Sequence, residues 1–164
     1  MIILRNSTAA FLRNNGKILL LKRSASKKIA PNVWAGVGGH MEAHEINNPL
    51  AACYREIEEE TGITQCQISG LTLLYILIRR SVDEIRQTYF YLGETVQTDV
   101  IQTDEGELFW IPENELMNRE FTQTFTAMLY HHSKRDPNNT AVYVGVADSN
   151  NGFKMNWLRC EDFE

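Results

Sequence analysis

Cysteine is scarce in this sequence, and long apolar runs are absent from it. The 164 residues include three cysteines, Cys53, Cys66 and Cys160, without the paired spacing of a zinc site or a disulfide framework. Free thiols of this kind are typical of a reducing compartment. No apolar run approaches the roughly 20 residues that cross a bilayer, and the start, MIILRNSTAAFLRNNGK, lacks the pattern of a signal peptide. We therefore expect a cytoplasmic protein with no membrane span.

Positive charge is also in short supply. The chain has 16 Lys and Arg residues against 21 Asp and Glu residues, and its formal net charge at pH 7 is −5. A protein that binds nucleic acid over a broad surface needs a basic face, so this balance argues against that class. A small phosphorylated substrate is compatible with it, because a bound cation reverses the local field. The length and the hydrophobic content of 43% predict one globular domain over residues 1–164.

Period-two patterning and turn residues predict several strands. Residues 7–13 and 17–22 read as two strands that flank Asn14-Asn15-Gly16, a strong hairpin signal. Residues 25–32 read as a surface loop. Further strand-like runs cover residues 67–79, 85–92, 107–112, 140–146 and 153–158.

Two helices are predicted among these strands. The first covers about residues 49–61, because Asn48 suits the N-cap, Pro49 suits the first helical position and Gly62 is typical of a helix end. Helical spacing recurs over residues 121–133. The face of the first helix predicted to be buried consists of Leu50, Tyr54, Ile57 and Thr61. Together the elements predict a mixed β-sheet with few helices, an α/β or α+β fold.

The first helix carries an unusual acidic side. Glu56, Glu59 and Glu60 stand at positions i, i+3 and i+4 within REIEEETG, so three like charges face one side of the helix. Each such neighbour costs a few tenths of a kcal/mol on an exposed helix, and more where water is excluded. A divalent cation removes this cost, and hard oxygen ligands favour Mg²⁺ or Mn²⁺. The alternative is a solvated helix face without a ligand.

These residues resemble the signature of the Nudix hydrolase family. That signature has a Gly, five residues, a Glu, seven residues, and then Arg-Glu-apolar-x-Glu-Glu-x-Gly-apolar. Here Gly39 is followed after five residues by Glu45, and residues 55–63, REIEEETGI, match the second half at every specified position. Nine residues rather than seven separate Glu45 from Arg55, and the extra pair lies in the loop around residues 46–48. The resemblance implies the family's αβα sandwich around a mixed sheet.

The resemblance also implies roles for individual residues. Arg55 would orient a metal-binding glutamate, with Glu45 completing that support, and Arg23 would touch phosphate. Glu105 and Glu107 are candidates for a further acidic ligand or base from outside the signature. The implied ligands of Mg²⁺ or Mn²⁺ are the backbone carbonyl of Gly39 and the carboxylates of Glu56, Glu59 and Glu60. The implied reaction is cleavage of a diphosphate linkage in a nucleoside diphosphate joined to a group X, and which carboxylate acts as the base is left open.

The segment NVWAGVGGHME is similar to a glycine-rich pattern in Nudix hydrolases of the MutT type. In those proteins the pattern lies close to the nucleotide, so Trp34, Gly38 and Gly39 are expected to bind substrate. A purine nucleoside triphosphate such as 8-oxo-dGTP is therefore the expected substrate. The alternatives are ADP-ribose, dinucleoside polyphosphates or capped RNA, or a module that binds nucleotides without hydrolysis. Phe153, Met155 and Trp157 alternate in the tail and would cover the sheet or form a homodimer surface.

Overall fold

The computed structural model describes residues 1–25, 32–148 and 152–161. Most of the loop predicted at residues 25–32, and most of the turn that precedes the last strand, lie outside these residues. The strands are β1 (Ile3–Asn14), β2 (Lys17–Arg23), β3 (Trp34–Ala35), β4 (Ile68–Arg80), β5 (Glu84–Thr95), β6 (Gly106–Pro112), β7 (Tyr143–Asp148) and β8 (Lys154–Arg159). The helices are α1 (Pro49–Thr61) and α2 (Gln123–Ser133), and 3₁₀ turns lie at Ala43–Glu45, Gln65–Gln67 and Glu113–Asn118. None of the helices in the described ranges has the length and apolar character needed to cross a membrane.

Strands β1 and β2 form the predicted hairpin. Asn14 pairs with Lys17, and the two turn residues between them have positive φ angles, 47° at Asn15 and 72° at Gly16. Two consecutive positive φ angles define the turn that matches the twist of a two-residue hairpin. The hairpin prediction is therefore confirmed.

The described strands form one mixed sheet of eight strands. Seven run in the order β3-β2-β1-β5-β4-β7-β8, and β6 pairs with the other edge of β2. The β1–β5 and β4–β7 pairs are parallel, and the remaining pairs are antiparallel. The glycine-rich segment also lies along β1, because Val37 pairs with Ala10 and His40 pairs with Ser7. The prediction of a mixed sheet with few helices is confirmed.

Helices α1 and α2 cover opposite faces of this sheet, which we call the α1 face and the α2 face. Side chains alternate between the two faces along each strand. On the α1 face the core includes Leu12, Leu19, Cys53, Ile57 and Tyr91. On the α2 face it includes Phe11, Tyr75, Phe90, Met128 and Leu129. The layers are therefore helix, sheet and helix, the αβα sandwich that the resemblance implied.

Helix α1 begins and ends where the sequence predicts. The Asn48 side chain accepts a hydrogen bond from the Ala51 N–H at 3.2 Å, and Pro49 occupies the first helical position. Gly62 ends the helix with a φ of 76°, in the left-handed region. These caps fix the register of the acidic residues along the helix.

The buried face of α1 differs in part from the predicted one. Ile57 and Thr61 are buried as expected, but Leu50 is exposed, and Cys53 and Glu60 are buried in addition. Cys53 and Ile57 are one turn apart and pack together on the α1 face, so the helix is rotated away from Leu50. The rotation carries Glu60 toward the sheet.

Strands β7 and β8 form a C-terminal hairpin that extends the sheet beyond β4, and some of its side chains lie on the α2 face. Met155 and Trp157 lie against the core there, so these tail residues cover the sheet as one alternative predicted. Trp157 stacks on His131 with ring centroids 4.4 Å apart. The Nδ1 atom of His131 lies 2.9 Å from the Tyr75 hydroxyl, which gives this histidine a structural contact.

Candidate functional site

Four carboxylates gather near the glycine-rich segment; this acidic cluster consists of Glu45, Glu56, Glu59 and Glu60. Arg55 binds three of them. Its Nε and Nη2 donate to the two oxygens of Glu45 at 2.7 and 2.8 Å. Its Nη1 donates to Glu56 at 2.9 Å and to Glu59 at 3.0 Å. The hydrogen bonds to Glu45 contribute most to a raised pKa of Arg55, so the guanidinium stays charged and ties the cluster together.

Glu45 reaches Arg55 despite the longer loop. The Glu42 N–H donates to a Glu45 carboxylate oxygen at 2.8 Å, and the Asn48 N–H donates to the Glu45 carbonyl at 2.7 Å. These bonds hold Glu45 at the end of the 3₁₀ turn Ala43–Glu45 and close a further turn over the extra residues before α1. Glu45 is buried, and its hydrogen bonds with Arg55 lower its pKa to about 2, against the opposing effect of burial.

Glu60 is the most enclosed carboxylate on helix α1. Glu60 is 8% exposed, and its carboxylate accepts a hydrogen bond from the Gly38 N–H at 2.8 Å. The pKa of Glu60 is raised to about 7; burial contributes most, the charges of Glu56 and Glu105 also raise it, and the hydrogen bond from Gly38 and the charge of Arg23 oppose the rise. The protein therefore offsets the negative charge of this carboxylate only in part.

Gly39 allows the backbone to approach Glu56 closely. A Cβ atom at residue 39 would overlap the Glu56 carboxylate, so no other residue fits without movement there. The Gly39 carbonyl accepts a hydrogen bond from the Thr8 N–H at 2.9 Å and retains a second lone pair. Burial also raises the pKa of Glu56, and Arg55 opposes that rise. Gly39 and the Glu56 carboxylate, two of the predicted ligands, are thus in close contact.

Glu59 lies at the rim of the acidic cluster, with a side chain that is 60% exposed and turned toward Arg55. Within residues 1–25, 32–148 and 152–161, no group of three or more His, Cys, Asp or Glu side chains is arranged to hold a metal ion. The chemistry of the donors nevertheless suits a hard divalent cation, because Glu56 and Glu60 are partly desolvated anions that lie against Gly39 and Gly38.

Of the two acidic candidates outside the signature, Glu105 lies near the cluster. Its charge contributes to the raised pKa of Glu60. Glu107 is exposed and pairs in register with Lys22, on the opposite face from its neighbour Leu108, which belongs to the α1-face core. The structure therefore brings Glu105, and not Glu107, toward the cluster.

Arg23 lies at the end of β2 beside an open cleft of about 570 Å³. Its Nε atom is buried and has no hydrogen-bond partner among the described residues. Its positive charge lowers the pKa of Glu60, against the larger effect of burial. The cleft is lined by Lys22, Arg23, Ser24, Ala25, Asn32, Thr103, Asp104, Gly106 and Glu107.

Trp34 lies on the other side of the sheet from Glu60. It packs against the α2-face core, and its ring centroid is 5.4 Å from that of Phe109. The guanidinium carbon of Arg119 lies 5.3 Å from the Trp34 ring centroid, at cation–π distance. The glycine-rich segment between Trp34 and His40 thus connects the acidic cluster with the α2 face.

His40 has basic surroundings that the sequence patterns do not predict. Its carbonyl accepts a hydrogen bond from Arg55 at 3.1 Å, while its ring lies near Arg86 and Arg5. Partial burial lowers the pKa of His40, and the charges of Arg86 and Arg5 lower it further. These arginines belong to β5 and β1, whose pairing joins residues about 80 positions apart, and no local pattern signals that contact.

Comparison with known proteins agrees with the signature. The family model of the NUDIX domain matches residues 3–132. The chain is 47% identical over 55 residues to the m7GpppN-mRNA hydrolase NUDT17 of Xenopus laevis, a match that covers 34% of this chain and 18% of that protein. The chain therefore spans less than a fifth of the length of this relative in the match.

Solved structures share the fold over most of the chain. A MutT protein from Bacillus halodurans superposes with a TM-score of 0.68 at 20% identity and covers 94% of this chain and 97% of its own. A MutT Nudix hydrolase from Burkholderia pseudomallei superposes with a TM-score of 0.61 at 26% identity, and the match covers 74% of this chain and 93% of that protein. Members of this family generally use divalent metal ions. Because the family model matches residues 3–132 and residues 55–63, REIEEETGI, match the second half of the signature, the chain belongs to the Nudix family of hydrolases.

Proposed function

We propose that this chain is a metal-dependent pyrophosphohydrolase that cleaves the diphosphate linkage of a nucleoside diphosphate derivative. The observation that carries the proposal is a pair of undercompensated carboxylates, buried Glu60 and half-buried Glu56, which lie against Gly38 and Gly39. Desolvated anions of this kind are costly to a fold unless a cation offsets them. The family membership supports the same chemistry.

The protein's own residues hold and orient the reacting groups. Glu56, Glu59, Glu60 and the Gly39 carbonyl would hold Mg²⁺ or Mn²⁺, which neutralises diphosphate charge and acidifies a bound water. Arg55 fixes Glu56 and Glu59 through its hydrogen bonds, and the ion pair with Glu45 keeps that guanidinium in place. A carboxylate within hydrogen-bond reach of the water accepts its proton.

Two further residues would act on the substrate or the ion. Arg23 carries a buried Nε without a partner in the described ranges and borders the open cleft, which suits contact with a phosphate oxygen. Glu105 adds a negative charge near Glu60 and is the candidate for a further acidic ligand. Gly38 donates its N–H to Glu60 and Gly39 lies against the Glu56 carboxylate, which supports placing both in the substrate and metal region.

The substrate that we favour is a purine nucleoside triphosphate, with 8-oxo-dGTP as the first compound to test. Support comes from the NVWAGVGGHME segment, in which Trp34 offers an aromatic ring at the end of the glycine-rich stretch. Hydrolysis would release a nucleoside monophosphate and pyrophosphate. The alternatives are ADP-ribose, dinucleoside polyphosphates and a module that binds nucleotides without hydrolysis, although the full set of signature glutamates argues against the last.

A second candidate function is hydrolysis of a capped RNA end. It is supported by the 47% identity over 55 residues to a relative named as an m7GpppN-mRNA hydrolase. The net charge of −5 argues against long contacts with the RNA body, so only the cap and the first phosphates would be bound.

A substrate panel tests these proposals. Wild-type protein is incubated with 8-oxo-dGTP, dGTP, ADP-ribose, a diadenosine polyphosphate and a capped oligonucleotide, each with Mg²⁺, with Mn²⁺ and with EDTA. We expect metal-dependent release of a nucleoside monophosphate and pyrophosphate from the triphosphates. Equal turnover in EDTA would overturn the metal-dependent mechanism, and exclusive turnover of the capped oligonucleotide would replace the favoured substrate with the second candidate.

We also propose a cytoplasmic location and a single domain for this enzyme. The three cysteines are free, which suits a reducing, cytoplasmic compartment. One eight-stranded sheet formed by the described strands supports a single domain over residues 1–164. The homodimer stays a prediction.

A further inference from the structure

Three arginines stand side by side on the α2 face, at the end of the sheet near His40. Arg5 on β1 pairs in register with Arg86 on β5, and Arg86 pairs in register with Arg79 on β4. We call these three residues the arginine row. Neighbouring strands lie about 4.8 Å apart, and like charges directly opposite one another destabilise a sheet.

Strand alternation places all three side chains on the same face. Ala9, Phe90 and Leu77 belong to the α2-face core on the three strands. Each arginine is an even number of positions from its core residue, so it projects to the same side. Between the row and the core, the Ser7 and Thr88 hydroxyls contact each other at 2.9 Å.

The positive charge of the arginine row exceeds the negative charge of the acidic side chains that pair with it. Among the described residues, Glu84 is the one side chain that accepts hydrogen bonds from the arginine row. Arg5 donates to it at 2.5 Å, and Arg86 donates to it at 2.7 and 3.0 Å. Arg79 is exposed, and within the described part of the chain no acidic side chain pairs with it. Three guanidinium groups therefore share one carboxylate, on a protein whose net charge is negative.

His40 connects the arginine row with the acidic cluster, because its ring lies near Arg86 and Arg5 and its backbone contacts Arg55. The His40 carbonyl accepts a hydrogen bond from Arg55, and His40 also forms a β-bridge with Ser7. Ser7 is two positions from Arg5 on β1, which is about 7 Å along a strand. A chain of phosphates held at the acidic cluster would thus meet the row on passing His40.

We propose that the arginine row binds the phosphates that extend beyond the scissile linkage of a nucleotide substrate. Guanidinium groups bind phosphate oxygens through paired, charge-assisted hydrogen bonds. The inference rests on the proposed function and sharpens it, because it assigns the enzyme to substrates with at least three consecutive phosphates. It also explains why a sheet keeps three adjacent like charges.

Guanosine di-, tri- and tetraphosphate form the test series, because they share base and sugar and differ only in phosphate number. In wild-type protein with Mg²⁺, kcat/KM is expected to rise along the series. In Arg79→Gln we expect kcat/KM for the tetraphosphate to fall about tenfold, chiefly through KM, with the diphosphate within about twofold. Arg80→Gln is the matched control, since Arg80 is the exposed next residue and projects to the other face. Equal losses in both variants would show general electrostatic attraction and overturn the proposal.

Calorimetric binding of inorganic tripolyphosphate in EDTA tests the row without turnover. Wild type and Arg80→Gln are expected to bind alike, and Arg79→Gln about tenfold more weakly. If no nucleotide is hydrolysed but this difference holds, the row stands and the proposed reaction fails. Unchanged tripolyphosphate binding in Arg79→Gln would overturn the proposal. A 5′-triphosphate RNA oligonucleotide is titrated in parallel, and a loss of affinity for this RNA alone would also overturn it, because the row would then bind RNA and not the phosphates of a nucleotide.

Discussion

The acidic cluster and the arginine row are two accumulations of like charge on opposite faces of one sheet. The cluster is built on helix α1 and is partly buried, with Arg55 as its internal counter-charge. The row is built on three strands and is largely open to water, with Glu84 as its counter-charge. In each site the excess charge of one sign is larger than the opposite charge of its counter-ion, Arg55 in the cluster and Glu84 in the row.

The two sites differ in solvent access, and this difference underlies the cation binding that we propose for the cluster and the anion binding that we propose for the row. In the cluster, burial raises the pKa values of Glu56 and Glu60, so ionisation costs the fold free energy that a bound cation would return. In the row, water screens the repulsion, so the excess charge costs the fold less and is available to attract a mobile anion. Substitutions in the cluster should therefore have larger effects than substitutions in the row.

The largest effect is expected from Glu59→Gln. Glu59 lies at the rim with its side chain 60% exposed, so its loss should leave the fold intact while removing a charge from the proposed metal site. Turnover with saturating Mg²⁺ should fall by more than about 100-fold. Steady-state kinetics and a thermal melt measure the two properties on the same sample.

Glu58→Gln is the matched control for that variant. Glu58 is an exposed neighbour on the same helix, and its substitution should leave turnover within about twofold. Near-normal turnover in Glu59→Gln, or an equal loss in Glu58→Gln, would contradict the assignment of the site to this helix face.

The next largest effect is expected from Arg55→Met, which leaves the buried Glu45 carboxylate without its partner. Breaking a buried ion pair typically costs 3–5 kcal/mol, and partial exposure of Arg55 reduces the expected loss of unfolding free energy to about 3 kcal/mol. The pKa of Glu45 is about 2 in the fold, below its ordinary value of 4.5. The ion pair therefore stabilises the protein fully above pH 4.5, and that contribution is lost as the pH falls through 2.

Denaturant unfolding at several pH values measures this difference. The gap between wild type and Arg55→Met should be widest near neutral pH and should narrow in acid. Arg159→Met, which breaks the exposed contact with Glu161, should cost at most about 1 kcal/mol. A constant gap at every pH would mean that Arg55 stabilises the fold through packing alone.

A smaller effect, of opposite sign, is expected from Glu60→Gln. The unfolded chain releases the Glu60 proton near pH 4.5 and the folded chain near pH 7, so the folded state loses stability as the pH rises between these values. Without metal, the variant should exceed the wild type in unfolding free energy by about 2 kcal/mol at pH 8 and match it at pH 4. Added Mg²⁺ should stabilise the wild type and not the variant. No gain at pH 8 would mean that the fold already compensates this carboxylate.

How far the sequence could predict these sites depends on the range of the contacts involved. The hairpin at Asn14-Asn15-Gly16 and the caps at Asn48 and Gly62 were predictable, because each is set by residues a few positions apart. The grouping of like charges on α1 was predictable for the same reason. The burial of Glu60 was not, because it depends on how the helix is rotated against the sheet.

The remaining features depend on strand pairing. The arginine row exists only because β1 lies parallel to β5, with Arg5 opposite Arg86. The nearness of Glu105 to Glu60 depends on how the chain enters β6 and pairs with β2, since Glu105 and Glu107 are two positions apart and alternation alone does not separate them. Helix rotation and strand register are set by the packing of the whole core, and local periodicity does not specify either of them.

The smallest effect is expected from Glu84→Gln, which removes the counter-charge of the arginine row. Arg5 and Arg86 would then repel each other across the β1–β5 pair without a shared acceptor. The thermal midpoint should fall at low salt by less than in Arg55→Met, and the loss should shrink at 1 M salt, where charges are screened over about 3 Å. Because the variant leaves the row more positive, tripolyphosphate should bind it more tightly than the wild type. Weaker binding would mean that Glu84 positions the arginines. The contrast between a buried cluster that binds a cation and an open row that attracts an anion would then no longer hold for the row.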